Sequence, residues 1–118
     1  MKLALTVNCW SDEDLMFAQQ FGVSHIVAEA VMPSPDAVDW NESVLAGLRN
    51  RVEKAGLEFV GVENIPFPYP KAILGEPGRD EEIENICSFI RNVGTAGISL
   101  LGYRWTASDY LPSNRGSK

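Results

Sequence analysis

The sequence predicts an α/β fold of consecutive parallel βα units, four strands alternating with three helices. Three observations carry that expectation. Short apolar runs alternate with segments of helical periodicity. Gly22, Gly56 and Gly97 each stand just before an apolar run, 34 and 41 residues apart, as an internal repeat requires. The runs also lack strict two-residue alternation, as expected of strands covered by helices on one face and by a closed barrel on the other.

The first strand is Leu3 to Val7. Ser11, with Asp14 three residues on, has the form of a capping box and opens a helix through about Gln20. The apolar face of that helix (Leu15, Met16, Ala18) is thin, and Gly22 supplies the left-handed stop. His25 to Ala30 reads as the second strand, followed by the turn-prone segment Met32-Pro33-Ser34-Pro35-Asp36. Asp39 and Glu42 repeat the cap-and-acid spacing. Val44, Leu45, Leu48 and Val52 form one helical stripe, with Arg49, Arg51 and Lys54 near the end that favours cations.

Leu57 to Val62 is the third strand, and a loop with Pro66, Pro68 and Pro70 follows it. Asp80, Glu81, Glu82 and Glu84 load the start of the next helix with negative charge. Ile83, Ile86, Cys87, Ile90 and Val93 trace its apolar face, which places Cys87 in the core. Ile98 to Tyr103 is the fourth strand. Residues 1–105 are expected as the barrel-forming unit and Thr106 to Lys118 as a loose tail.

Two architectures fit this order, a doubly wound open sheet and the first half of a (β/α)8 barrel. A complete barrel needs about 250 residues, against 118 here. A last strand with no covering helix after it favours a truncated barrel.

The net charge of -6, from 10 Lys+Arg and 16 Asp+Glu, argues against a nucleic-acid or anionic-membrane surface. No run approaches the roughly 20 apolar residues that span a bilayer. The two cysteines, Cys9 and Cys87, have neither metal-type spacing nor a partner pattern. A reduced, cytoplasmic setting is the expectation.

Ligands of both architectures meet the carboxyl ends of the strands. Asn8, Cys9 and Trp10, then Glu29 and Ala30, then Glu63 and Asn64, then Tyr103, Arg104 and Trp105 stand there. Acids, amides, aromatic rings and a guanidinium suit a polyhydroxylated anionic small molecule. The long connection from Asn64 to Arg79 has the length of a binding lid. His25 opens its strand at the opposite end and is expected to be structural. Cys9 is a lone thiol with no positioned base. The Gly75–Arg79 stretch lacks the lysine of a phosphate loop, and acids follow it closely.

The motifs Val62-Glu63-Asn64-Ile65-Pro66, Leu74-Gly75-Glu76-Pro77-Gly78-Arg79-Asp80, Ile83-Glu84-Asn85, Ile90-Arg91-Asn92 and Ala96-Gly97-Ile98 together resemble the N-terminal region of mannonate dehydratases. Trp10, Trp40 and Glu53-Lys54-Ala55-Gly56-Leu57 follow the same order upstream. The resemblance covers about residues 3 to 105. It implies a xylose-isomerase-like TIM barrel that dehydrates D-mannonate to 2-keto-3-deoxy-D-gluconate with Mn2+ or Fe2+.

The family's catalytic and metal-binding residues come from later strands, so the resemblance implies no metal ligand and no catalytic group here, and a fragment inactive alone. Trp10, Glu63, Asn64, Tyr103 and Arg104 are the candidate substrate contacts, with Arg104 for the carboxylate and Glu63 for a hydroxyl. Where the family carries Tyr-Asn after the fourth strand, this chain has Tyr103-Arg104, exchanging a neutral amide for a cation. A sugar isomerase or epimerase of the same superfamily is the rival enzyme. A non-catalytic half-barrel that dimerises is the rival binding module. A second copy and a complementing C-terminal half are the two partners these readings call for.

Overall fold

The computed structural model describes residues 1–29 and 40–107. The expected turn at Met32–Asp36, the cap at Asp39 and the tail beyond Ala107 therefore lie outside the described residues, as does Ala30.

Four strands, β1 (Ala4–Val7), β2 (His25–Glu29), β3 (Glu58–Glu63) and β4 (Leu100–Gly102), pair in parallel in the order β1-β2-β3-β4. Sequence order equal to spatial order separates the two architectures left open above. A doubly wound sheet reverses direction at a switch point, whereas the wall of a (β/α)8 barrel advances one strand at a time.

Helix α1 (Asp12–Phe21) starts as expected, with the Ser11 hydroxyl accepting the Asp14 amide at 3.2 Å. Helix α2 (Glu42–Lys54) differs. Its cap is Asn41, whose Oδ1 accepts the Val44 amide at 3.0 Å. Asn caps as well as Asp does, and it stands immediately before the first helical residue. The proline loop contains a short helix, α3 (Pro70–Leu74), with proline at its first position, where the missing N–H costs nothing. The third long helix is α4 (Arg79–Thr95).

The strand register sorts the side chains. Val7, Ala28, Val62 and Leu101 lie level across all four strands. They join Leu15 and Ala18 of α1, Leu45, Leu48 and Val52 of α2, and Phe89 and Val93 of α4 in one core. Because side chains alternate across a strand, the neighbouring row turns to the other face. That row is Glu29, Glu63 and Gly102.

Three sequence expectations about the core need correction. Met16 is exposed, since α1 turns Leu15 and Ala18 to the sheet and leaves Met16 outside. On α4 the sheet-facing line is Ile86, Phe89 and Val93, so Ile83 and Ile90 are exposed and Cys87 is half-buried rather than core. A clean apolar stripe in sequence is wider than the surface one sheet edge covers. Ile90 instead lines a hollow of about 510 Å³ with Ile65, Ile86, Leu101, Tyr103 and Trp105.

Between Ile26 and Val27 the β2–β3 register jumps from Phe59 to Gly61, a bulge that leaves Val60 as the extra residue. Gly61 then meets β4 at close range. A Cβ added there would lie 2.9 Å from the Cβ of Leu100 and 3.0 Å from its carbonyl oxygen. Gly61→Ala should therefore push β4 off β3 and lower stability by about 1–3 kcal/mol. Urea unfolding of the two proteins measures this, and an unchanged midpoint would contradict the close approach.

Candidate functional site

The carboxyl ends of the strands gather most of the residues picked out from sequence. At the end of β1, the Asn8 side chain accepts the Trp10 amide at 3.1 Å and the Asn8 carbonyl accepts the Ser11 amide at 3.1 Å. This local turn carries the chain straight from strand to helix cap. Arg51 of α2 reaches over to hold it. Its Nη2 donates to the Trp10 carbonyl at 3.1 Å and to the Asp12 carboxylate.

Trp10 is half-buried, and its ring meets Trp40 edge-on at 6.2 Å. The aromatic contacts continue from Trp40 to Phe89 at 6.1 Å and from Phe89 to Phe67 at 6.1 Å, both edge-to-face. Four rings from four segments thus lie beneath the rim. No local pattern marks this chain of rings, because its members are separated by 22 to 49 positions.

Glu29 and Glu63 are register partners, and Glu63 in turn faces Gly102. Both carboxylates are exposed. Asn64 follows in the left-handed region at φ 70°, and its amide donates to the Gly102 carbonyl at 2.9 Å. Asn is among the few residues that adopt this conformation at modest cost. The turn ends β3 at Glu63 while keeping β3 tied to β4.

Past Gly102 the chain leaves the sheet. Tyr103, Arg104 and Trp105 are exposed. The Arg104 carbonyl accepts the Tyr69 hydroxyl at 2.6 Å, and Trp105 stacks on Tyr69 with centroids 5.5 Å apart. Tyr69 is buried. It was missed from sequence because it sits in the proline loop, where no periodicity marks it. The described residues thus bring Glu29, Glu63, Asn64 and the Tyr103–Trp105 segment to one sheet end, with Trp10 at the first strand of the same end.

His25 stands at the opposite end of β2, as expected. Its Nδ1 lies 2.6 Å from the Ser24 hydroxyl and its Nε2 lies 3.1 Å from Glu58. That cluster pins the amino ends of β2 and β3. Among the described residues no group of three His, Cys, Asp or Glu could hold a metal ion.

Cys9 is fully buried, and its Sγ lies 3.7 Å from the Val7 carbonyl. Burial pushes the thiol up to about 12, with the negative charge of Asp14 adding to the effect and the Arg51 cation opposing it. A thiol held protonated is not a nucleophile at neutral pH. Since the folded value lies above the ordinary 9.0, the native state favours the neutral form. That contribution is complete below pH 9 and is lost as pH rises toward about 12. At pH 8 a disulfide exchange reagent should label Cys87 and spare Cys9 until the chain unfolds. Rapid labelling of Cys9 in a Cys87→Ser variant would contradict its burial.

Comparison with known proteins agrees with this fold. A family model for D-mannonate dehydratase (UxuA) matches residues 1–112. A mannonate dehydratase of Streptococcus pneumoniae is 39% identical over 89 residues, which is 70% of this chain and 24% of that protein. One from Oceanobacillus iheyensis is 28% identical over 117 residues, covering 91% of this chain and 33% of that protein. The crystal structure of mannonate dehydratase from Streptococcus suis serotype 2 superposes with a TM-score of 0.70 at 32% identity, covering 87% of this chain and 30% of that one. The chain spans about a quarter to a third of the length of the curated relatives it matches. With its consecutive parallel strands and a family match over nearly its whole length, the chain belongs to the D-mannonate dehydratase family.

Proposed function

We propose that this chain forms one part of the wall and rim of a cytoplasmic hydro-lyase that converts D-mannonate to 2-keto-3-deoxy-D-gluconate during hexuronate breakdown. The observation that carries the reading is the family match over residues 1–112, in a fold whose strand ends gather acids, an amide and a guanidinium.

The reaction removes a proton from C2, next to the carboxylate, and expels the C3 hydroxyl. The C2–H electron pair becomes the C2–C3 double bond, the departing oxygen takes a proton, and the enol rearranges to the 2-ketone. On this reading Arg104 pairs with the substrate carboxylate, where negative charge grows as the C2 proton leaves. Glu63 accepts a hydrogen bond from a substrate hydroxyl, and Asn64 and Tyr103 add contacts beside it. Trp10, seated on the ring cluster, walls the pocket from the first strand.

Mn2+ or Fe2+ is the ion implied for the family, but the described residues do not fit one. They offer no three-donor group, and the Cys9 thiol is protonated and buried. No step is assigned to a metal through this chain. The proton-transfer groups are likewise assigned to none of its residues.

The test supplies the full chain with the segment of the Streptococcus suis enzyme that lies beyond the matched region, in the presence of Mn2+. The chain alone should leave D-mannonate unchanged, and the mixture should form the 2-keto acid. In the mixture, Arg104→Ala should raise KM for D-mannonate about tenfold with little change in kcat, the pattern of lost uniform binding. Isomerisation of a ketose with no dehydration of D-mannonate would overturn the assignment in favour of a sugar isomerase.

A further inference from the structure

Tyr69 joins two stretches of chain that the sheet does not hold together. Its backbone opens α3, where its carbonyl accepts the Ile73 amide at 3.3 Å. That short helix is itself tied to α4, because the Glu82 carboxylate accepts the Ala72 amide at 2.8 Å. The Tyr69 side chain points the other way and is only 7% exposed. Its hydroxyl donates to the Arg104 carbonyl at 2.6 Å while its ring lies nearly parallel to Trp105, at 5.5 Å and 27°.

These two contacts hold the carbonyl of Arg104 and the side chain of Trp105, one on each side of a single peptide bond. The hydrogen bond sets the plane of the bond between Arg104 and Trp105, and the stacked ring sets the side chain that follows. A fixed peptide plane narrows the directions in which the preceding Cα can project its side chain. Tyr103 and Arg104 lie beyond the last ladder pair at Gly102, so β-pairing does not supply this orientation.

We propose that Tyr69 is a positioning residue that fixes the Tyr103–Trp105 segment and thereby aims Arg104 at the substrate carboxylate. This rests on the carboxylate role given to Arg104 above. Tyr69 itself touches no substrate. Its hydroxyl is committed to a backbone carbonyl and its ring to Trp105.

The test uses the full chain, 15N-labelled, as wild type, Tyr69→Phe and Arg104→Ala. Backbone order parameters report the hold on residues 103–106, and titrations with D-mannonate and the uncharged D-mannitol report carboxylate recognition. Tyr69→Phe keeps the ring and removes the hydroxyl, and an unchanged amide pattern in β1 to β3 verifies its fold. Order parameters at Arg104 and Trp105 should fall from about 0.85 in wild type to about 0.6 in Tyr69→Phe. The affinity for D-mannonate should weaken about fivefold, the scale of one lost hydrogen bond, while the response to D-mannitol stays the same.

Unchanged order in Tyr69→Phe overturns the proposal. So does lowered order with D-mannonate affinity intact, which makes the tyrosine a structural prop. Failure of the underlying reading has its own signature, D-mannonate binding that is equal in wild type and Arg104→Ala.

Discussion

Val7, Ala28, Val62 and Leu101 lie in one level row beneath the helices, one residue from each strand. The placement of the acids at the rim follows from that row. Because successive side chains alternate between faces, packing these four against the helices, Ala28 and Val62 fully buried and Val7 and Leu101 partly so, commits Glu29, Glu63 and Gly102 to the opposite face and to the carboxyl end. A slip of one residue in β2 or β3 would turn Glu29 or Glu63 toward Leu45, Leu48 and Val52 and expose a core side chain. The cost of burying an unpaired carboxylate makes such a slip strongly unfavourable. Packing on the helix side thus sets the chemistry on the other.

Around this frame, long-range contacts do what the ladder cannot. Arg51 ties the turn after β1 to α2, and Arg49 donates to the Ala96 carbonyl at 3.2 Å, satisfying a backbone acceptor at the end of α4. Asn92 of α4 donates to the Trp40 carbonyl at 3.1 Å ahead of α2. Each links consecutive βα units across the helix layer. The ring chain from Trp10 to Phe67 does the same below the rim. The result is a sheet end whose loops are fixed from beneath.

The parallel α/β plan could be read from local chemistry alone. Ser11 announces a helix and caps it, Gly22, Gly56 and Gly97 adopt the left-handed stops, and the apolar runs become strands within one or two residues of their expected ends. Spatial order could not be read, since periodicity is the same in a wound sheet and in a barrel wall. The α4 stripe misled for a related reason. Ile83 and Ile90 satisfy the helical period, but the sheet reaches only as far as Phe89 and Val93. The candidate site is half legible. Strand ends can be counted, which places Glu29, Glu63 and Arg104 at one sheet end, whereas the Tyr69 contact with Arg104 spans 35 residues and carries no local signal.

The most direct measurement is the strand register in solution, from nuclear Overhauser contacts in the isotope-labelled full chain. Inter-strand contacts of a parallel sheet should set Ala28 beside Val62, Val62 beside Leu101, and Glu29 beside Glu63. Antiparallel contacts, or a register displaced by one residue that carries Glu63 under the helices, would contradict this arrangement.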